Sequence, residues 1–204
     1  MNILGDTTEY FENKFKSYGP TPSGVGWKDD FAQVNRYKQL LRIVSEESGF
    51  SILDFGCGYG KLVELLENSY KNFTYFGVDL SEEMLNFARK AYWNKKNVNF
   101  FNSGKEQDRK YDYVVASGIF NVKFGSEQSW ENYIQRVLIS MYEMSNQAIS
   151  CNFLSTYSDF DKRDVKLYYA DPEKIFEFAM RNLSRKVNIL HDYNMFDFTI
   201  TINK

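Results

Sequence analysis

The apolar positions of the chain fall into short runs separated by stretches with helical spacing. Phe50–Phe55 (FSILDF) is a compact apolar run ending at a cluster of glycines, and Phe73–Val78, Val98–Phe101, Tyr111–Ala116 and Ala148–Leu154 are runs of the same kind. Between them, Leu62, Leu65 and Leu66 share one helical face of Lys61–Ser69. Glu82–Tyr92 follows Ser81 as N-cap, with Glu82 and Glu83 in the first turn where negative charge suits the helix dipole. Trp130–Met144 reads as a further helix, and Pro172 sits where a first-turn proline opens one over Glu173–Asn182. Upstream, Thr8–Ser17 is a short helical stretch, and Tyr37, Leu40, Leu41 and Val44 predict a helix over Asp30–Glu47 ended by Gly49. The stretch from Tyr18 to Trp27 holds Pro20, Pro22 and three glycines and reads as a loop. Val187–Leu190 and Phe196–Ile202 close the chain as two strands joined by a short connection, which makes them antiparallel.

Strands alternating with helices predict βαβ units and a doubly wound, mostly parallel sheet of seven strands, in the α/β class. The expected organisation is one domain, residues 1–204, with 1–48 as a helical lid segment over a core of 49–204. The 204 residues carry 25 Lys+Arg against 27 Asp+Glu, a net charge of -2, which argues against a nucleic-acid partner. Two cysteines, Cys57 and Cys151, make no disulfide framework or paired-cysteine zinc site, and no metal-ligand spacing occurs. Neither a leader-like start nor a membrane-length apolar run is visible, so the expected location is cytoplasmic without membrane insertion, as monomer or homodimer.

Leu53-Asp54-Phe55-Gly56-Cys57-Gly58-Tyr59-Gly60-Lys61 carries the chemistry. Glycines here, after a strand and before a helix, allow backbone to approach a ligand closely at the carboxyl end of the sheet. A dinucleotide fingerprint needs glycine at Lys61, and a P-loop needs glycine at Phe55 and Ser or Thr at Leu62, so both fail. An acid ahead of the glycines repels pyrophosphate but suits an ammonium group, and Asp79 at the end of the second strand suits ribose hydroxyls. An adenosine with a cationic amino-acid tail and no phosphate is S-adenosylmethionine.

SILDFGCGYG, FGVDLSEEML and YDYVVASGIFN together resemble class I S-adenosylmethionine-dependent methyltransferases, with their Rossmann-like fold. The flanks YFENKFKSYGPTPSGVGW, LYYADPEKIFEF and SRKVNILHDYNMFDFTI are similar to small bacterial members associated with surface-polysaccharide biosynthesis. The resemblance implies that Gly56, Cys57, Gly58 and Gly60 form the platform for the methionine moiety, with Asp54 on its ammonium. It implies Asp79 on the ribose, Leu80 and Met84 against the adenine, and Ser117 and Gly118 near the sulfonium. Many relatives place an acid in the loop after the third strand, on the adenine amino group; here Asn102, Ser103 or a backbone carbonyl must serve instead. In this fold the segment before the first strand commonly closes over the cofactor; Trp27 is its candidate to cover the sulfonium pocket, and Arg36 its candidate to pair with the cofactor carboxylate or an anionic acceptor.

Candidates for the acceptor side are Tyr168, Tyr169 and Asp171, in the segment before the Pro172 helix, and His191, the one histidine. Each has a structural alternative: packed tyrosines, a capping aspartate, a hairpin histidine. Lys162, Arg163, Lys166, Arg181, Arg185 and Lys186 suit a phosphorylated or nucleotide-linked acceptor if they face the cleft, and a solvated surface if not. The expected activity is methyl transfer to an oxygen of a small sugar, sugar-nucleotide or phosphate-derived molecule. The alternatives are N-methylation of a metabolite or amino sugar, and a non-catalytic S-adenosylmethionine-binding sensor or partner subunit.

Overall fold

A computed structural model describes residues 3–45, 49–104 and 109–204. Its elements are α1 (Ile3–Tyr18), α2 (Asp30–Leu40), β1 (Phe50–Phe55), α3 (Leu62–Ser69), β2 (Phe73–Asp79), α4 (Glu82–Ala91), β3 (Val98–Asn102) and β4 (Tyr111–Ala116). They continue with α5 (Glu127–Met144), β5 (Ser145–Ser155), β6 (Tyr169–Ala170), α6 (Pro172–Asn182), β7 (Val187–Leu190) and β8 (Asp197–Asn203).

The strands form one sheet in the order β3-β2-β1-β4-β5-β8-β7, with β6 beside the end of β5. Strands β1 to β5 pair in parallel, and β8 runs antiparallel to both β5 and β7. Strand order reverses between β1 and β4, and open α/β sheets bind ligands in the crevice beyond the carboxyl ends at such a switch point. Here the glycine loop after β1 and the Ser117–Gly118 loop after β4 flank that crevice.

Side-chain alternation places one core on each face of the sheet. Leu53 and Val114 pack with Ile134, Leu138 and Met141 of α5, whereas Ile52, Tyr113 and Val115 pack with Leu40, Leu62 and Leu66 of α2 and α3. Leu62 and Leu66 are fully buried, and each such leucine contributes about 2 kcal/mol of apolar burial.

Four expectations change. The sheet has eight strands, not seven: Tyr169 and Ala170 pair with Leu154 and Ser155 over two residues, too short to leave an alternating pattern. The second helix stops at Leu40 and tightens into a 3-10 turn over Leu41–Ile43, after which Val44 is extended. Leu40 and Leu41 are consecutive yet both buried, and the tighter turn turns both into the core; Glu47 lies outside the described residues. The loop before that helix contains a 3-10 helix, Pro22–Val25, capped by the Thr21 side chain. The first helix also begins earlier than expected, at Ile3. Among the described residues no helix is long and apolar enough to cross a membrane.

Candidate functional site

The glycine loop is fastened to the end of β2 before any ligand is considered. Gly56 N and Cys57 N both donate to the Val78 carbonyl, at 2.8 and 3.0 Å. Gly56 has φ +82°, and a Cβ there would lie 2.3 Å from Ile119 Cγ2 in the loop after β4, so a side chain is refused by backbone conformation and by neighbour alike. Asp79 closes the arrangement. One carboxylate oxygen accepts from Gly58 N at 2.8 Å and the other from Ser81 N at 2.9 Å. Burial pushes its carboxyl up, while these backbone donors pull it down. Leu80 N is a further donor to this carboxylate, which has capacity left for a ligand hydroxyl. Ser81 caps α4, and its hydroxyl donates to Glu12 of α1 at 3.2 Å, which ties the first helix across the mouth.

Opposite, the loop after β4 is held from β5. Asn152 is fully buried; its Oδ1 accepts from Gly118 N at 2.8 Å and its Nδ2 donates to Ser117 Oγ at 3.2 Å. Gly118 has φ +76°, and a Cβ there would lie 2.4 Å from the Trp27 ring. Trp27 lies beneath the Arg36 guanidinium, 4.2 Å from ring centroid to carbon. Arg36 is itself occupied: it makes a two-pronged bond to Asp197 at 2.8 and 2.6 Å and donates to the Ala32 carbonyl at 2.8 Å.

Between these loops lies a cleft of about 870 Å³, including solvent at its mouth. Gly56, Cys57, Gly58, Asp79, Leu80, Met84 and Ser103, whose N donates to the Asp79 carbonyl at 3.1 Å, line it toward β1–β3, and Ser117, Gly118 and Ile119 line it toward β4. Helix α1 and the turn after it add Thr7, Thr8, Phe11, Val25 and Trp27, and α5 adds Tyr133. Gln33, Tyr37 and Tyr59 form a linked polar wall: Tyr59 donates to Gln33 Oε1 at 3.1 Å, and Gln33 donates to the Tyr37 hydroxyl at 3.2 Å. Asp79 is the one charged side chain among the described residues of this lining. A neutral, aromatic cleft with a single acid suits a cation-bearing nucleoside and offers nothing to a pyrophosphate.

A methyltransferase-domain family model matches residues 52–140. A Mycobacterium tuberculosis protein named as a methyltransferase, Rv1506c, is 39% identical over 165 residues, covering 80% of this chain and 99% of that protein. The chain belongs to the S-adenosylmethionine-dependent methyltransferases. A malonyl-[acyl-carrier protein] O-methyltransferase of Bacillus cereus is 26% identical over 170 residues, 79% of this chain and 58% of that enzyme. The fold of this methyltransferase matches that of the Synechocystis magnesium protoporphyrin IX methyltransferase with bound S-adenosylmethionine (TM-score 0.69, 15% identity, 100% and 98% of the two chains). It also matches the N-methyltransferase NodS of Bradyrhizobium japonicum with S-adenosylhomocysteine (TM-score 0.68, 13% identity, 97% and 98%).

Of the residues expected at the cofactor of this methyltransferase, ten line the cleft: Trp27, Gly56, Cys57, Gly58, Asp79, Leu80, Met84, Ser103, Ser117 and Gly118. Four do not. Gly60 packs against Phe100 and Tyr92 behind the loop. Asn102 donates to Glu82 on the surface at 3.0 Å. Arg36 is held by Asp197, a partner in β8 that no local pattern reveals. Asp54 lies beneath the loop, 1% exposed, accepting from the Tyr75 hydroxyl at 2.9 Å.

The acceptor-side candidates also lie elsewhere. Asp171 caps α6, accepting from Glu173 N at 2.9 Å. Tyr168 is buried and borders, with Asp171, a small separate hollow between α5 and α6. The Tyr169 hydroxyl accepts from Asp164 N at 2.9 Å. His191 is exposed in the β7–β8 connection. None of the six basic residues of the C-terminal third lines the cleft. Sequence reasoning missed Asn152, Gln33, Tyr37, Tyr59 and Tyr133 as polar groups of the site: Tyr37 reads as an apolar helix position and Tyr59 as a residue between glycines, and the polar Asn within the apolar run of β5 is the signal that could have found Asn152.

Burial raises the Asp54 carboxyl to about 7, against the bond from Tyr75 and with the charge of Asp79 adding to the rise. The folded chain therefore keeps a proton that the unfolded chain releases near pH 4, and stability falls as pH rises toward and through 7. Between pH 5 and 8 this group alone is expected to cost about 3 kcal/mol. Asp54→Asn should remove that slope in urea denaturation followed at several pH values. An unchanged slope in the variant would show that the carboxyl ionises freely.

Proposed function

We propose that the cleft binds S-adenosylmethionine and that methyl transfer is to an oxygen needing no general base, a carboxylate being the acceptor class that fits best. The observation that carries this reading is the lining: among its described residues there is no histidine, lysine or arginine, and Asp79 is its sole acid. In the proposed placement Asp79 holds the ribose, the glycine loop and Ser117–Gly118 hold the amino-acid tail, and Leu80 and Met84 flank the adenine near Ser103. The cofactor supplies a methyl group on a positively charged sulfur, already activated for in-line displacement. The chain then needs to orient and to exclude water. Helix α1 and Trp27 are the proposed cover, and effective molarity is the proposed source of rate.

An acceptor hydroxyl would need a base to take its proton; a carboxylate does not. A carboxylate entering a neutral cleft meets the sulfonium charge as its counterion, so charges cancel as the bond forms in a medium of low dielectric. A phosphorylated acceptor would bring charge that no cation in the lining answers. The O-methyltransferase names among the relatives support oxygen as the acceptor atom. A surface-polysaccharide role draws no support from the named relatives.

The test is turnover of labelled S-adenosylmethionine with three panels: thioesters and small acids bearing a free carboxylate, nucleotide-linked sugars, and amines. A carboxylate product is a methyl ester, and mild alkali releases its label as methanol. An alkali-stable methyl ether or N-methyl product would overturn the carboxylate reading.

A further inference from the structure

We infer that Asn152 is a positioning residue which makes the Ser117 hydroxyl a hydrogen-bond donor to the carboxylate of the cofactor's amino-acid tail. The inference rests on the cleft being the S-adenosylmethionine site.

The direction of each bond follows from the chemistry of the groups. Gly118 N can only donate, so the atom of Asn152 facing it at 2.8 Å is the oxygen. The amide nitrogen is then fixed toward Ser117 Oγ at 3.2 Å, where it donates. Asn152 is 0% exposed on β5, so it has no freedom to turn over. Ser117 Oγ is thus committed as acceptor toward β5. Its proton has no acceptor among the described residues, and Ser117 lines the cleft. A hydroxyl held this way presents its O–H to a ligand. The cofactor's tail offers an ammonium, which only donates, and a carboxylate, which only accepts. Only the carboxylate can accept the presented O–H, and an ammonium could use no more than the second lone pair of the same oxygen.

The need for a neutral donor arises from the charge distribution. The cleft lining contains no lysine or arginine among its described residues. Arg36, the expected partner of the carboxylate, is spent on Asp197 and on the Ala32 carbonyl. The same Asn152 bond holds Gly118 in its left-handed conformation against Trp27, so one buried amide sets both residues of the loop.

The experiment compares calorimetric binding of S-adenosylhomocysteine with that of its decarboxylated analogue, 5′-deoxy-5′-(3-aminopropylthio)adenosine. Wild type should prefer the carboxylate-bearing ligand by about 10-fold or more, the worth of a hydrogen bond to a charged group. Ser117→Ala should reduce that preference to about 2-fold, with the analogue's affinity unchanged. Asn152→Asp keeps an oxygen for Gly118 N but presents an acceptor to Ser117. The hydroxyl then turns its proton away from the cleft, and the preference should fall as in Ser117→Ala. Combining the two substitutions should add nothing further. If Asn152→Asp does not fold, Ser117→Ala alone decides. Full preference retained in Ser117→Ala, or in folded Asn152→Asp, would overturn the inference. If the wild type binds neither ligand, the cofactor site fails and the inference falls with it. A wild type that binds both equally overturns the inference and leaves the site standing.

Discussion

Asp79→Ala is expected to abolish measurable S-adenosylhomocysteine binding at concentrations that saturate the wild type. Asp79 carries two loads. It accepts from Gly58 N and Ser81 N, so it sets the glycine loop and the start of α4 together. In its proposed role it also accepts both ribose hydroxyls. Hydrogen bonds to a charged acceptor contribute about 1.5–3 kcal/mol each, so losing two weakens binding by 100-fold or more. Alanine also frees two backbone N–H groups beside the cleft, and the loop loses its fixed shape. Asp79→Asn weakens both loads: its one oxygen can retain a single backbone bond, and its NH2 then faces the other backbone N–H, donor against donor. The asparagine variant should lose part of the thermal stability and most of the affinity. Calorimetry on all three proteins checks this, and near wild-type affinity in Asp79→Ala would remove Asp79 from the ribose.

The largest effect on stability is expected from Arg36→Ala. The Arg36–Asp197 pair is buried, with side chains 8% and 1% exposed, and it joins α2 to β8. Removing the cation leaves a carboxylate with no partner in a low-dielectric interior, which typically costs about 3–5 kcal/mol. For a chain of this size, that corresponds to a fall of about 10 °C or more in melting temperature. Trp27 loses the guanidinium stacked on it as well, so the cleft wall against Gly118 loosens and cofactor binding weakens. Arg36→Met with Asp197→Leu removes both charges and should restore much of the loss, because a buried pair is worth little more than apolar groups of similar volume. Denaturant melts of the single and double variants measure the coupling. If Arg36→Ala melts like wild type, Asp197 is hydrated and the pair does not anchor α2.

The glycine loop was legible because every part of it is local. Gly56 and Gly58 need left-handed φ at positions fixed by the strand just before them, and Asp79 sits where β2 must end beside β1. Tyr168, Asp171 and His191 misled for the complementary reason. Their residue types fit acid–base chemistry, but α6 claims Asp171 as its cap, β6 beside β5 draws Tyr168 inward, and the β7–β8 connection leaves His191 at the surface. Asn152 shows the same limit from the other side: within an apolar strand it reads as an interruption, and only the parallel pairing of β4 with β5 aims it at Gly118.

By itself the sequence determined the alternation of strands and helices, the antiparallel end, the glycine platform and the acid after the second strand. Those follow from backbone periodicity and from spacing along a few tens of residues. The tertiary structure alone decided which charges reach the cleft. Arg36 and Asp197 lie 161 positions apart, and their mutual neutralisation takes from the site the cation that its place in the chain promised. Long-range pairing is set by how the sheet is wound, and winding brings together residues whose separation along the chain carries no periodic signal.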